Sequence, residues 1–260
     1  MADETVLHRI EDGVSILSLN RDECHNAVDY ETGERLAALW RQAIFEDDSR
    51  AILIRSEGRS FSAGRDTRVL GSRPEGVSDF AHVSKSQLSK FLQLDSQKPV
   101  VAAVQGNAIG GGAEMALRSD IRVFADDVRF SLPELEHGVI TDGGGSVITA
   151  ALAGPSRAKY LLMTGERIDA QRCYEWGLCD FVVPRADLHA FALDIAKRIA
   201  AKPPVHVALA KQLCDSVHGD AIRQGLRQEL VAISALYRTA DAQEARAARK
   251  EKRKPNFTGM

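Results

Sequence analysis

Cysteine is scarce in this chain. Cys24, Cys173, Cys179 and Cys214 are the only four among 260 residues, and they form neither a C-x-x-C pair nor a Cys/His cluster of zinc spacing. A disulfide scaffold and a zinc site are therefore not expected, and a reduced, cytoplasmic compartment is. No apolar stretch approaches the ~20 residues that a membrane span needs, so no membrane partner is expected. The first ten residues, MADETVLHRI, hold no apolar run behind a basic start, which argues against a secretory leader. Charge of one sign is also missing. The 34 Lys and Arg against 36 Asp and Glu leave a formal charge of −2, too little to draw the whole protein to nucleic acid or to an anionic membrane. Any anionic ligand must be held by a local site. Repeats of solenoid type are absent as well.

What is present is an alternation of short β-branched runs with amphipathic stretches. The pattern predicts strands over 5–10, 14–19, 51–55, 100–104, 120–125 and 181–183. It predicts helices over 30–45 and 80–94 and from about Gly111 onward. Alternation of this kind implies an α/β chain whose sheets are covered by helices. From about Ala186 the pattern turns almost wholly helical, with further helices expected over 205–217 and 221–237 beyond Pro203 and Pro204. Residues 71–78, rich in Gly, Pro and Ser, read as an irregular loop. The basic run 246–254 reads as a solvated helix end.

Three segments carry chemistry. In the first, a buried strand over 100–104 leads to Gly110-Gly111-Gly112-Ala113-Glu114, where glycines meet a helix start with an acid in its first turn. Glycine lets the backbone approach a ligand closely, and a helix start presents N–H groups without partners. Such a place suits an oxygen that becomes negative during a reaction, though it would equally suit a tight strand-to-helix turn. The second segment, Ser60-Phe61-Ser62-Ala63-Gly64-Arg65-Asp66, is by itself a small-residue turn with two charges. In the third, Pro133 is placed as the first residue of a helix with Glu134 in its opening turn. There Asp142 precedes three more glycines, and reads either as the cap of the next helix or as a third working carboxylate.

These segments in this order resemble the crotonase (enoyl-CoA hydratase/isomerase) superfamily, and the resemblance runs from Leu19-Asn20-Arg21 to the C-terminal Phe257-Thr258-Gly259. It implies a crotonase-type spiral of ββα turns over 1–195, followed over 196–260 by a helical region that mediates trimers, often paired into hexamers. It also implies that Ala63 and Gly111 give backbone N–H groups to the thioester oxygen of an acyl-CoA, with Gly64, Arg65 and Asp66 beside them. Glu114 and Glu134, twenty residues apart, match the two catalytic acids of the family's 2-enoyl-CoA hydratases. Adding water across a C2–C3 double bond needs a base for the water and an acid for C2, and two carboxyl groups around one water can do both.

The activity implied is that of a hydro-lyase acting on a trans-2-enoyl-CoA, with coenzyme A as the carrier part of the substrate and neither a metal nor a redox cofactor. One departure stands out: Thr141-Asp142-Gly143 occupies the place where such hydratases often carry Pro-Gly-Ala. Asp142 therefore keeps open an enoyl- or dienoyl-CoA isomerase that moves a proton with Glu134 and Asp142. A non-catalytic acyl-CoA- or RNA-binding scaffold on the same fold is the reading from another class.

Overall fold

The structure, a computed structural model, describes residues 4–68 and 95–260. The loop expected over 71–78 and the helix expected over 80–94 lie outside the described residues.

The chain opens with a hairpin. Strands β1 (Val6–Glu11) and β2 (Val14–Leu19) pair antiparallel around Asp12 and Gly13, which have φ of 48° and 77°. Two central residues of positive φ form a turn whose twist matches that of the strands, and Asp-Gly favours it. Helix α1 (Tyr30–Phe45) begins where the Asp29 carboxylate accepts the Thr32 N–H at 2.9 Å. Strands β3 (Ala51–Ser56) and β4 (Val100–Val104) follow. β4 is a continuous apolar run and β3 opens with one, Ala51–Ile54, as expected of strands covered on both faces. With β6 (Ile121–Ala125) and β9 (Phe181–Val183) they complete a six-stranded sheet in the order β1-β2-β3-β4-β6-β9, parallel except at β1.

A smaller sheet is built from very short strands, β5 (Asn107–Ile109), β7 (Arg129–Ser131) and β8 (Ile168–Asp169). Gly106 turns the chain from β4 into β5 with φ 56°, and a Cβ there would stand 2.0 Å from the Arg59 carbonyl oxygen. Only glycine fits between these two backbones. Residues 62–65 are then tied on two sides, Ser62 bridging to Ala108 and Arg65 to Val28.

Helices cover this framework. Helix α2 (Gly111–Leu117) follows β5, while α3 (Gly145–Ala153) and α4 (Pro155–Thr164) adjoin through Gly154. The short α5 (Ala170–Glu175) precedes β9. Helix α6 (Leu188–Ala200) lays a buried row of Leu188, Ala192, Ala196 and Ala200 onto the six-stranded sheet. Small side chains four apart let it lie close to β3 and β4. It runs through the expected division at residue 195, so that division falls inside a helix that covers the core. Three more helices follow: α7 (Pro204–Asp215), α8 (Gly219–Leu236) and α9 (Ala240–Lys250). Beyond α9 the basic run is exposed, with Arg253 ion-paired to Glu244.

Candidate active site

The cleft lies where β5 ends, between the 62–66 segment and helix α8. Gly110 has φ 54° and ψ −123°, which ends the strand and starts α2 in one step. As the first residue of α2, Gly111 presents an N–H for which the helix offers no acceptor. Gly64, with φ 81°, presses against this start: a Cβ on it would lie 2.5 Å from the Ile109 carbonyl oxygen and 3.0 Å from the Gly111 nitrogen. The cleft is walled by Ala63, Arg65, Gly110, Gly111, Glu114, Glu134, His137 and Asp142, with Val139, Ile140, Ile233 and Tyr237 among the remaining lining residues.

The two glutamates meet here under different restraints. Glu114 is buried at 2% exposure, and its Oε1 accepts the N–H groups of Gly143 at 2.8 Å and Gly145 at 3.0 Å. Burial, reinforced by the negative charges of Asp142, Glu134 and Glu229, holds its carboxyl well above the ordinary range. Glu134 opens a single 3-10 turn, Glu134–His137. Pro133 stands one position before that turn, not as the first residue of an α-helix as expected, because Gly138 (φ 67°) closes the turn at once. Glu134 leans over the start of α2, where a Cβ on Gly110 would come within 3.1 Å of its Oε1. The residue as a whole is half-buried, yet both carboxylate oxygens are shielded from solvent and hydrogen-bonded to nothing among the described residues. Burial pushes its carboxyl up to about 8.

Asp142 is buried in the same cleft, but it caps no helix. The cap of α3 is Gly144, and the Asp142 carboxylate instead meets the Arg65 guanidinium, Oδ2 to Nη2, at 2.9 Å. The capping expectation is corrected because the glycines after Asp142 carry the chain too far from its side chain before the helix begins. The expectation for Ala63 is also corrected, since its N–H donates to the His25 carbonyl at 2.9 Å and is committed inside the protein. The neighbouring positions differ in their part. Arg65 lines the cleft, whereas Gly64 serves as the close contact with Gly111. Asp66 faces away: its carboxylate is held by Arg68 and it contributes nothing to the wall.

Sequence reasoning missed Glu229. This buried acid on α8 accepts hydrogen bonds from Thr141 Oγ1 at 2.9 Å, Gly144 N–H at 2.8 Å and Ser146 N–H at 3.0 Å. Burial raises its carboxyl above the ordinary value. The one available signal was spacing, because Gly225, Glu229 and Ile233 lie four apart and share the buried face of α8. His137 was missed as well. It hydrogen-bonds Arg249 of α9 at 3.0 Å, and burial together with that cation lowers its pKa.

The sequence profile of a family described as Enoyl-CoA hydratase/isomerase matches residues 9–260. The chain is 32% identical to the 1,2-epoxyphenylacetyl-CoA isomerase of Escherichia coli strain K12, over 98% of this chain and 99% of that one. It is 31% identical to the carnitinyl-CoA dehydratase of the same strain, over 97% and 98% of the two chains. The crystal structure of an enoyl-CoA hydratase/isomerase from Pseudoalteromonas atlantica T6c superimposes with a TM-score of 0.89 at 27% identity, over 98% of this chain and 100% of that one.

Proposed function

The chain belongs to the enoyl-CoA hydratase/isomerase family and has its crotonase fold, and from that membership we propose that it adds water across the C2–C3 double bond of a trans-2-enoyl-CoA. The observation that carries this reading is the pair of buried carboxyls, Glu114 and Glu134, with raised pKa values in one cleft. Such a pair shares its protons, so near neutral pH it can hold one neutral and one ionised carboxyl. The ionised one takes a proton from water as the oxygen bonds to C3. The neutral one delivers a proton to C2, and the carbon–carbon double bond is lost. Between these events charge gathers on the thioester oxygen as an enolate.

Two backbone donors are assigned to that oxygen. One is the Gly111 N–H at the start of α2. The other is the Arg65 N–H in place of that of Ala63. Along the stretch bridged to Val28, the Gly64 carbonyl and the Asp66 N–H both face Val28. Alternation along an extended chain then directs the Arg65 N–H to the opposite side. Removing one such donor typically costs ~3 kcal/mol of transition-state stabilisation.

Isomerisation is a second reading, favoured by Asp142 lining the same cleft. Its ion pair with Arg65 opposes that role, because the carboxylate is turned to the guanidinium at 2.9 Å. Turnover of a panel of enoyl- and dienoyl-CoA esters in 18O-labelled water separates the two. Labelled 3-hydroxyacyl-CoA is the expected product; products of unchanged mass across the panel would overturn hydration. Assembly into trimers or hexamers in the cytoplasm belongs to the same proposal. It is supported by an exposed apolar stripe, Val205, Leu209, Leu213 and Val217, along and just beyond α7.

A further inference from the structure

Glu229 is not among the residues that line the cleft, yet it is bound to the loop that holds Glu114. Its place is set one turn earlier by Gly225, where a Cβ would stand 2.1 Å from Val147 Cγ1. Only a glycine lets α8 press onto α3 this closely. The turn that leads into α3, residues 143–146, shows a strict alternation. The N–H groups of Gly143 and Gly145 go to Glu114 Oε1, at 2.8 and 3.0 Å. Those of Gly144 and Ser146 go to Glu229, at 2.8 and 3.0 Å. The hydroxyls of Thr141 and Ser146 also donate to Glu229 Oε1. Four successive amides, the last two in the first turn of α3, are thus shared between two buried carboxylates.

We propose that Glu229 is a positioning residue for Glu114: by holding Gly144 and Ser146 it turns the intervening amides onto Oε1 and leaves Oε2 as the oxygen through which a proton enters or leaves. The inference rests on Glu114 being a proton carrier, as read above. The chemistry is that of lone pairs. An oxygen already accepting two N–H groups has no room for its own hydrogen, so a neutral Glu114 carries its proton on Oε2. An acid is needed at position 229 because every group facing it is a donor. A glutamine there would set its NH2 against one of them, leaving a buried N–H without an acceptor.

The test compares the wild-type protein with Glu229→Gln, uniformly 15N-labelled, by residue-resolved amide hydrogen exchange and by turnover of the enoyl-CoA panel. Exchange is expected to speed up by about tenfold or more at Gly143 and Gly145, which Glu229 does not touch, as well as at Gly144 and Ser146. Turnover is expected to fall by roughly 10–100-fold, the usual weight of a group that orients a working residue, with KM changed less than about threefold. Faster exchange confined to Gly144 and Ser146, or a folded variant with unchanged kcat, overturns the proposal. Should Glu229→Gln fail to fold, the double variant Thr141→Val/Ser146→Ala keeps the acid and removes only the hydroxyl donors. It is expected to change the same two amides and to lower kcat by about threefold or more, and no change in either overturns the proposal. If the wild-type protein turns over nothing in the panel, the hydratase reading fails, and exchange at Gly143 and Gly145 alone decides the positioning.

Discussion

Two runs of three glycines lie in this chain, Gly110–Gly112 and Gly143–Gly145, and they do opposite things. The first turns a strand into a helix and leaves the Gly111 N–H at the cleft. The second directs its N–H groups inward, two to Glu114 and one to Glu229. Among the glycines of the first run, Gly112 is required by backbone: a Cβ on it would lie 2.3 Å from the Ser62 carbonyl oxygen, whereas one on Gly110 would meet only the Glu134 side chain. Those of the second run are required largely by side chains. A Cβ on Gly145 would meet Thr141 Cγ2 at 2.5 Å and Glu114 Oε1 at 3.0 Å. Under the proposed function the first run offers one donor, the Gly111 N–H, to the substrate, while the second holds the Glu114 carboxyl, so identical tripeptides acquire their role from what packs against them.

The comparison breaks most sharply at the two acids, one leaning over the first run and the other held by the second. Glu134→Gln and Glu114→Gln are each expected to lower kcat on the true substrate by roughly 10²–10⁴. Wild-type turnover in either variant would remove that residue from the mechanism.

The next effect is on stability. Gly112→Ala drives a methyl into a carbonyl that cannot move without the 62–66 segment, and is expected to cost about 3 kcal/mol. Gly145→Ala meets side chains that can rotate, and is expected to cost about 1 kcal/mol. Denaturant midpoints measure both, and equal losses would erase the distinction between the runs.

A smaller effect depends on pH. The Glu134 pKa rises from an ordinary 4.5 to about 8 on folding. The folded state therefore binds the proton more tightly than the unfolded state. The stability linked to that proton is fully present below about 4.5 and is lost as pH rises through about 8. Glu134→Gln stays neutral, so its Tm relative to wild type should be higher by about 3 °C or more at pH 8.5 than at pH 5. A Tm difference independent of pH would contradict the burial of this carboxyl, which has no hydrogen-bond partner among the described residues. Catalysis should fail along the same alkaline limb.

The smallest effect on turnover belongs to Asp142, which precedes the second run without joining it. Asp142→Asn is expected to lower hydration less than about tenfold while weakening the contact with Arg65. A variant that is nearly inactive would move Asp142 into the proton path and favour isomerisation.

Much was legible in the sequence. The β-branched runs placed β2, β4 and β9 at the residues they occupy, and the 3.6 period placed α1 at Tyr30–Phe45. Glu134 was implied only by the family resemblance, but Gly111 and Glu114 at the start of α2 were legible too, because a helix start with an acid is a local pattern. These features depend on neighbours within a turn or a strand, and such neighbours are written in order along the chain. The second sheet was not legible, since β5, β7 and β8 span only 3, 3 and 2 residues and show no period.

The partners of individual polar groups were decided only when distant segments met. Ala63 donates to His25, and Asp142 turns to Arg65 at a separation of 77 residues. Glu229 reaches Gly144 across 85 residues. A buried donor or acceptor must be satisfied by whatever packing brings beside it. Residue types and local periodicity therefore determined which groups could do the chemistry, and the tertiary structure decided which of them were left available to do it.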